Sequence, residues 1–240
     1  MSVETGRKIV DYLLDQYERN DSDFINCNTR AVVLDFIGGE PLLEATLIEQ
    51  ICDYWFSECF RRDIPLAPFT RISFATNGQL WFSSEAQHLI EKYHDLMSIT
   101  ISIDGVQDLH DMYRLDEHGN GSFVKAWTAF QDGKRRFGWA NSKMTFVPGS
   151  FPYISDSLKM MLDEGCSDVA CNYAYEPVYT PANGRSLYEQ LKIVSDYIVD
   201  NKLDVVVTIL DSLLGGKAKD DKNFCGGTGA MLSFAPDGSA

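Results

Sequence analysis

VVLDFIGGEPLL, residues Val32 to Leu43, is the stretch from which the fold can be predicted. Its apolar run is typical of a buried strand, and the Gly-Gly-Glu-Pro that follows is typical of a turn that opens a helix. Two adjacent glycines leave the backbone open to a small molecule, and Glu40 at a strand end can accept hydrogen bonds from an ammonium group. The turn has a second interpretation as a plain sharp turn, with Glu40 favoured by the helix dipole and Pro41 by the first helical turn.

Composition indicates a globular protein. The chain has 240 residues, of which 45% are hydrophobic and 23% are charged, enough for a substantial core in one domain or two. A net charge of −14 disfavours nucleic acid, because phosphate binding needs clustered Lys and Arg. No apolar segment approaches the roughly 20 residues that span a bilayer, and the N-terminal region lacks a signal-peptide pattern. We therefore expect a cytoplasmic protein with neither nucleic acid nor a membrane as partner.

The cysteines and histidines show no metal-ligand spacing. The six cysteines are scattered, and neither Cys-x-x-Cys nor Cys-x-x-x-Cys-x-x-Cys occurs. The four histidines have no ligand spacing either. Buried thiols are expected at four positions, namely Cys52, Cys59, Cys166 and Cys171.

Helices and strands alternate along the chain. Helical periodicity predicts helices over residues 3–17, 43–60, 84–92, 122–137, 154–164 and 186–201, with a short turn or helix over 108–114. Short apolar runs predict strands over residues 32–37, 71–75, 98–103, 143–147, 169–175 and 203–210. Ser122 is expected to cap its helix, and residues 223–240 to form a glycine-rich loop and the start of a hairpin. Strands separated by helices imply a parallel sheet, either doubly wound or a partial or complete β/α barrel.

Small and hydrogen-bonding residues follow three successive predicted strands. They are Gly38-Gly39-Glu40, Thr76-Asn77-Gly78, and Ser102 with Asp104. Both candidate architectures place ligands at the carboxyl ends of their strands. The repetition favours a ligand pocket over three unrelated turns.

In their order and spacing, these motifs resemble the radical S-adenosylmethionine enzymes, in particular the branch with a SPASM extension. That branch includes anaerobic sulfatase maturases and the maturases of Cys-rich peptides. The resemblance covers nearly the whole chain and rests on Gly38-Gly39-Glu40-Pro41, Thr76-Asn77-Gly78, Ser102-Ile103-Asp104-Gly105 through His110-Asp111-Met112-Tyr113-Arg114, Phe224-Cys225-Gly226-Gly227, and Phe234-Ala235-Pro236-Asp237-Gly238. It implies an α/β protein with a partial (β/α)6 TIM-like barrel, without the family's first strand, over residues 1–214. Residues 215–240 would then be a linker and the start of a C-terminal SPASM cluster domain.

The resemblance also implies a binding site for S-adenosylmethionine, formed by Gly38, Gly39, Glu40, Ser102, Asp104 and Arg114. In the family the Gly-Gly-Glu turn binds the methionyl amine, the serine bonds the ribose with the aspartate as a neighbour, and the arginine reaches the methionyl carboxylate. The chemistry agrees, since an ammonium pairs with carboxylate and carbonyl oxygens and a guanidinium fork matches a carboxylate. Cys225 resembles the first cysteine ligand of an auxiliary [4Fe-4S] cluster. Without the resemblance, Ser102 and Asp104 would be read as a strand-end turn, Arg114 as a surface ion pair and Cys225 as a free thiol.

Two departures from the family pattern bear on activity. The Cys-x-x-x-Cys-x-x-Cys loop, which binds the cluster that reduces the cofactor, does not occur in the sequence, and neither do the later SPASM cysteines. We therefore expect an internal piece of a larger enzyme that does not cleave S-adenosylmethionine by itself. Without a preceding barrel strand, the strand at 32–37 would be an exposed edge, so dimerisation or aggregation is expected.

The resemblance implies that the parent enzyme uses a 5'-deoxyadenosyl radical and a [4Fe-4S] cluster to modify a peptide or protein, by Cys or Ser oxidation or by thioether formation. An external electron donor of the flavodoxin or ferredoxin type is implied as a partner. The alternative is a non-catalytic α/β module that binds S-adenosylmethionine or peptide without the cluster. A barrel lyase or aldolase is disfavoured, because no lysine nucleophile stands at a strand end and no carboxylates pair at a convincing spacing.

Overall fold

The computed structural model describes residues 1–20, 22, 24–138, 141–210 and 231–240. Its strands are β1 (Val32–Phe36), β2 (Thr70–Thr76), β3 (Met97–Ser102), β4 (Asn141–Phe146), β5 (Asp168–Tyr173) and β6 (Val206–Val207). Its α-helices are α1 (Val3–Arg19), α2 (Ala45–Arg61), α3 (Ser84–Lys92), α4 (Gln107–Tyr113), α5 (Phe123–Phe137), α6 (Ile154–Asp163) and α7 (Pro181–Asp200). Helices therefore separate the strands of the described chain from one another.

The strands form one sheet in the order β1-β2-β3-β4-β5-β6. Pairing is parallel between β1 and β2, between β3 and β4, between β4 and β5, and between β5 and β6. A doubly wound sheet reverses its strand order at a switch point. Here the order follows the chain without reversal, so the α/β class is confirmed and the barrel type of connection is the one observed.

The first compact unit comprises Met1–Phe74, Ser83–Ser98 and the described residues after position 230. Its core lies between α1 and α2, where Leu14 and Trp55 are fully buried and the Trp55 indole donates to Thr70 Oγ1 at 2.9 Å. Strand β1 was expected to be buried, and this is wrong. Only alternate residues such as Leu34 pack on the core, while Val33 is 61% exposed.

Arg62 ties α1 to the end of α2. Its guanidinium, only 12% exposed, contacts the carboxylates of Asp11, Asp15, Glu18 and Glu58 at 2.6 to 3.3 Å. A buried guanidinium with several carboxylate partners is an expensive group to leave unpaired. The network therefore holds the two helices in register.

The second compact unit comprises Ala75–Phe82 and the described part of Ile99–Gly216. Strands β4 and β5 carry its core, with Met144, Phe146 and Val169 fully buried. Helix α5 lies close to the turn after β2, because a Cβ placed on Gly78 would be 3.1 Å from Ala126 Cα. Small residues at this contact let the helix approach the backbone.

Two elements near the C-terminal end of this unit differ from prediction. Helix α7 begins at Pro181, five residues before the predicted start, because Thr180 and Asn183 form a reciprocal capping box. The predicted strand over 203–210 is reduced to two residues and ends in a 3₁₀ turn at Thr208. The Thr208 hydroxyl donates to Val169 O and accepts from Cys171 N, so a side chain replaces the backbone pairing with β5.

Within residues 231–240, the predicted hairpin start appears as a turn. Gly238 N donates to Ala235 O at 2.9 Å, and Ala235 N donates to Ser239 O at 2.8 Å. The predicted linker, residues 215–222, and the part of the predicted loop at 223–230 lie outside the described residues. The predicted domain division after residue 214 therefore stays a prediction.

The four cysteines expected to be buried are buried, which confirms that prediction. Burial raises the pKa of Cys52 to about 12 and that of Cys59, Cys166 and Cys171 to about 11, so all four are thiols at neutral pH. Among the residues the structure describes, no group of three His, Cys, Asp or Glu side chains is placed to hold a metal ion. None of the described helices has the length and apolarity that a membrane span requires.

Candidate functional site

The turn after β1 is open around its two glycines. Gly38 and Gly39 have φ of +111° and +46°, and no atom lies within 4 Å of a Cβ built on either residue. Backbone conformation, rather than crowding, is therefore what requires glycine here. The exposed backbone is accessible to a ligand.

Glu40 caps the short 3₁₀ helix Pro41–Glu44 that follows this turn. Its Oε1 accepts a hydrogen bond from Leu42 N at 3.0 Å. Glu40 and Pro41 therefore stand at the start of a helix, as the second interpretation of the turn expected, and the capping hydrogen bond is an additional finding. Binding of an ammonium group by Glu40 stays a prediction.

The turn after β2 is closed by its own side chains. Asn77 Oδ1 accepts from Gln79 N at 2.9 Å, and Thr76 Oγ1 accepts from Gly78 N at 3.0 Å. Gly78 has φ of +74° and lies against α5. These contacts account for the Thr-Asn-Gly sequence as a structural turn.

The structure brings Asp104 and Arg114 together at the end of β3. Asp104 is 6% exposed, and its Oδ1 accepts from Thr145 N at 2.9 Å. Its carboxylate forms a two-point contact with Arg114, with Nε on Oδ2 and Nη2 on Oδ1, the latter at 3.2 Å. Ser102, the last residue of β3, is half-buried. Of the predicted ligand residues after β3, Asp104 and Arg114 thus form a fork-to-fork ion pair.

The Asp104-Gly105 turn is pressed against α6. Gly105 has φ of +146°, and a Cβ placed on it would lie 2.1 Å from Ser157 Oγ. That hydroxyl also accepts from Val106 N at 3.2 Å. Glycine is required here by both backbone conformation and lack of space, and this fixes the carboxylate that precedes it.

His110 is fully buried behind this ion pair. Asp104 N donates to its Nδ1 at 3.3 Å, so the neutral ring carries its proton on Nε2 and donates to Ser122 Oγ at 3.0 Å. Ser122 Oγ in turn donates to Arg114 O at 2.9 Å. Burial lowers the pKa of His110, and Arg114 lowers it further, while Asp104 and Asp111 act in the opposite direction.

Asp111 provides the cap that the sequence assigned to Ser122. The Ser122 side chain makes no capping hydrogen bond, because its hydroxyl is engaged with His110. Asp111 Oδ1 accepts instead from Phe123 N, the first residue of α5, at 2.8 Å. A Cβ on Gly121 would lie 2.2 Å from the Asp111 carboxyl carbon. The prediction for Ser122 is therefore wrong.

Arg114 is the more exposed partner of this ion pair. Its side chain is 32% exposed, whereas that of Asp104 is 8% exposed. The contact with Asp104 uses Nε and Nη2, so Nη1 has N–H donors to spare for a carboxylate or phosphate. The sequence selected both residues through the family motif, and their binding of S-adenosylmethionine stays a prediction. The contacts of His110 and Asp111 were not predicted.

No protein-family model matches the chain, and no curated protein matches it. Among solved structures, the chain is similar to anSMEcpe, an anaerobic sulfatase maturase, with bound AdoMet. The TM-score is 0.68 at 19% identity, over 89% of this chain and 57% of that one. The chain has the radical S-adenosylmethionine enzyme fold.

Further radical S-adenosylmethionine structures agree with this fold. The chain is similar to anSMEcpe with bound AdoMet and Cp18Cys peptide, with a TM-score of 0.67 at 19% identity over 89% of this chain and 57% of that one. It is also similar to Streptococcus suis SuiB bound to S-adenosylmethionine, with a TM-score of 0.53 at 14% identity over 83% of this chain and 42% of that one. The chain therefore spans between 42% and 57% of the length of these three solved structures. Cys225, the predicted cluster ligand, lies outside the described residues.

Proposed function

We propose that the chain is the S-adenosylmethionine-binding part of a radical S-adenosylmethionine enzyme that modifies a peptide. The observation that carries the proposal is the Arg114–Asp104 ion pair at the end of β3, with the guanidinium partly exposed over a buried carboxylate. The fold adds support, because proteins that share it have been solved with AdoMet and with peptides bound. In this proposal the peptide is the substrate, and the modification is Cys or Ser oxidation or thioether formation.

The described residues suit the polar groups of the cofactor. Arg114 would bind the methionyl carboxylate through the N–H groups that Asp104 leaves unused. The open backbone at Gly38 and Gly39, with Glu40, would take the amine. Ser102 would bond the ribose. The structure adds one element to the expectation for Asp104: three protein donors occupy its carboxylate, so we assign it to orienting Arg114.

A [4Fe-4S] cluster does not fit the described residues, which contain no group of three metal-ligating side chains. We propose that the complete enzyme holds the cluster and receives electrons from an external donor of the flavodoxin or ferredoxin type. We also propose that this enzyme works in the cytoplasm.

Isothermal titration calorimetry with S-adenosylmethionine tests the binding proposal. Losing a charged hydrogen bond costs about 1.5–3 kcal/mol, so R114Q should weaken binding by about 10- to 100-fold. Decarboxylated S-adenosylmethionine should bind the unchanged chain about as weakly as R114Q binds the cofactor. The matched control is R185Q, because Arg185 is exposed and should leave both affinities unchanged. Equal affinities for the two ligands, or no binding of either, would refute the proposal.

Anaerobic reconstitution with iron and sulfide, followed by iron determination, separates binding from cleavage. We expect the chain to bind S-adenosylmethionine without acquiring a stable four-iron cluster and without releasing 5'-deoxyadenosine. A stoichiometric cluster that supports cofactor cleavage would contradict the expectation that this chain is inactive alone.

A further inference from the structure

Arg114 is held at both its side chain and its main chain. Its guanidinium lies on the Asp104 carboxylate, and its carbonyl accepts from Ser122 Oγ at 2.9 Å and from Ser122 N at 3.2 Å. Its own N–H donates to His110 O at 2.8 Å. An arginine loses much side-chain freedom when it binds a ligand, and prior restraint reduces that cost.

His110 links the two halves of the ion pair. One ring nitrogen accepts from the main chain of Asp104, and the other donates to the Ser122 hydroxyl that holds the Arg114 carbonyl. The ring is fully buried and meets Phe123 edge-on at 5.6 Å between centroids. It is therefore out of reach of a ligand, and its contacts run to the backbone of the two residues that form the pair.

From this geometry we infer that His110 is a positioning residue. Through Ser122 it holds Arg114 in the position in which the guanidinium binds the carboxylate of an amino-acid ligand. The inference rests on the proposed function, in which that ligand is S-adenosylmethionine. His110 acts on the ligand through Arg114 and touches no reacting atom. The arrangement needs the neutral ring, because Nδ1 accepts while Nε2 donates.

The test compares S122A and H110F with S150A. Ser150 is a matched control: it is a buried serine in the same unit, and within the described part of the chain its hydroxyl bonds only to Val147. S122A removes both hydrogen bonds of the Ser122 hydroxyl, and loss of the one that holds Arg114 O should weaken S-adenosylmethionine binding by about 5- to 10-fold. H110F should weaken it further, and H110Q should recover part of the loss, because an amide can still donate toward Ser122. S150A should leave the affinity unchanged.

Two readouts distinguish positioning from a general loss of structure. Binding of decarboxylated S-adenosylmethionine should be unchanged in S122A, and S122A should add nothing to R114Q in a double-mutant cycle. Equal weakening of both ligands, or additive effects in the cycle, would overturn the inference while leaving the proposed function intact. Thermal unfolding identifies any variant that fails to fold.

A third readout is independent of the ligand. In ¹H–¹⁵N spectra the Arg114 Nε–H signal, assigned by its loss in R114K, should exchange slowly in the unchanged chain and in S150A. It should exchange faster in S122A and H110F. If no chain binds either ligand, the proposed function fails. The Arg114 signal then decides the inference, and an unchanged exchange rate in S122A would overturn it.

Discussion

Replacing Gly105 with alanine tests whether the turn that carries Asp104 is locked against α6. Gly105 has φ of +146°, a region essentially restricted to glycine, and a Cβ there would lie 2.1 Å from Ser157 Oγ and 2.7 Å from Ser157 Cβ. Gly119 provides the matched control. It has φ of +79°, and no atom lies within 4 Å of its Cβ position. Both substitutions place a side chain at positive φ, but only the first also meets a packed side chain.

The expected magnitudes follow from these two terms. Backbone strain costs about 1–3 kcal/mol, and forcing a methyl group into a packed contact costs about 1–3 kcal/mol more. G105A should therefore lower the free energy of unfolding by about 3–5 kcal/mol, and G119A by about 1–2 kcal/mol. The loss of about 3–5 kcal/mol expected for G105A is a large fraction of the free energy of unfolding of an ordinary domain.

Urea titrations followed by tryptophan fluorescence give the free energies. A double-mutant cycle with S157G isolates the packing term, because the loss of the Val106 N–H partner occurs in both S157G chains and cancels. The coupling should be favourable by about 1–3 kcal/mol. Equal destabilisation by G105A and G119A, or a coupling near zero, would refute the reasoning that Ser157 holds this turn.

Three further predictions concern pH and association. Burial lowers the pKa of His110, so below about pH 6.5 the unfolded chain binds a proton at this ring that the folded chain does not. As the pH falls below that value, the free energy of unfolding should decrease by at most about 1.4 kcal/mol per pH unit. In urea titrations H110Q should remove this pH dependence, and an unchanged pH dependence would contradict the prediction. Ion pairs with Arg61 and Arg62 lower the pKa of Glu58 from 4.5 to about 2. The stabilisation that Glu58 gives the folded state is therefore complete above pH 4.5 and is lost as the pH falls toward 2. Because Arg61 is exposed, we expect the free energy of unfolding to fall by only about 2 kcal/mol in that range, and E58Q should not show this decrease. V33K should reduce self-association in sedimentation at high concentration, because it places a charge on the exposed edge of β1; a clean monomer before substitution would contradict the expected edge pairing.

Local patterns in the sequence were sufficient to place most helices. Helix α1 was predicted to end within two residues of its observed end, and α3 was predicted with both ends correct. In each helix a serine before the first residue accepts a backbone N–H three residues on, a signal that lies within a few positions of sequence. The short β6 could not be predicted in this way, because the Thr208 hydroxyl ends it by bonding to a strand nearly forty residues earlier.

In the candidate site, too, some features can be predicted from nearby residues in the sequence and others depend on the three-dimensional structure. Asp104 and Arg114 were selected together because both belong to one sequence motif, and in the structure they form an ion pair. The cap of α5 was assigned to Ser122 because serine precedes the helix, which is ordinarily a good signal. That assignment is reversed because the Ser122 hydroxyl is engaged with His110, and the other acceptor near the start of α5, Asp111, binds Phe123 N instead. Such a choice between two nearby acceptors depends on three-dimensional distances that residue spacing does not contain.

If Arg114 binds a ligand carboxylate as proposed, the buried carboxylate of Asp104 affects which ligands this arginine selects. In a chain with net charge −14, an unpaired arginine would attract any anion by charge alone. Pairing with Asp104 cancels most of that long-range attraction and leaves a planar set of N–H donors with a fixed direction. Recognition then depends on how well a ligand carboxylate matches that direction, because the remaining gain comes from short-range hydrogen bonds. A neutral His110 suits this purpose, since a charged ring beside the pair would restore the positive charge that Asp104 removes.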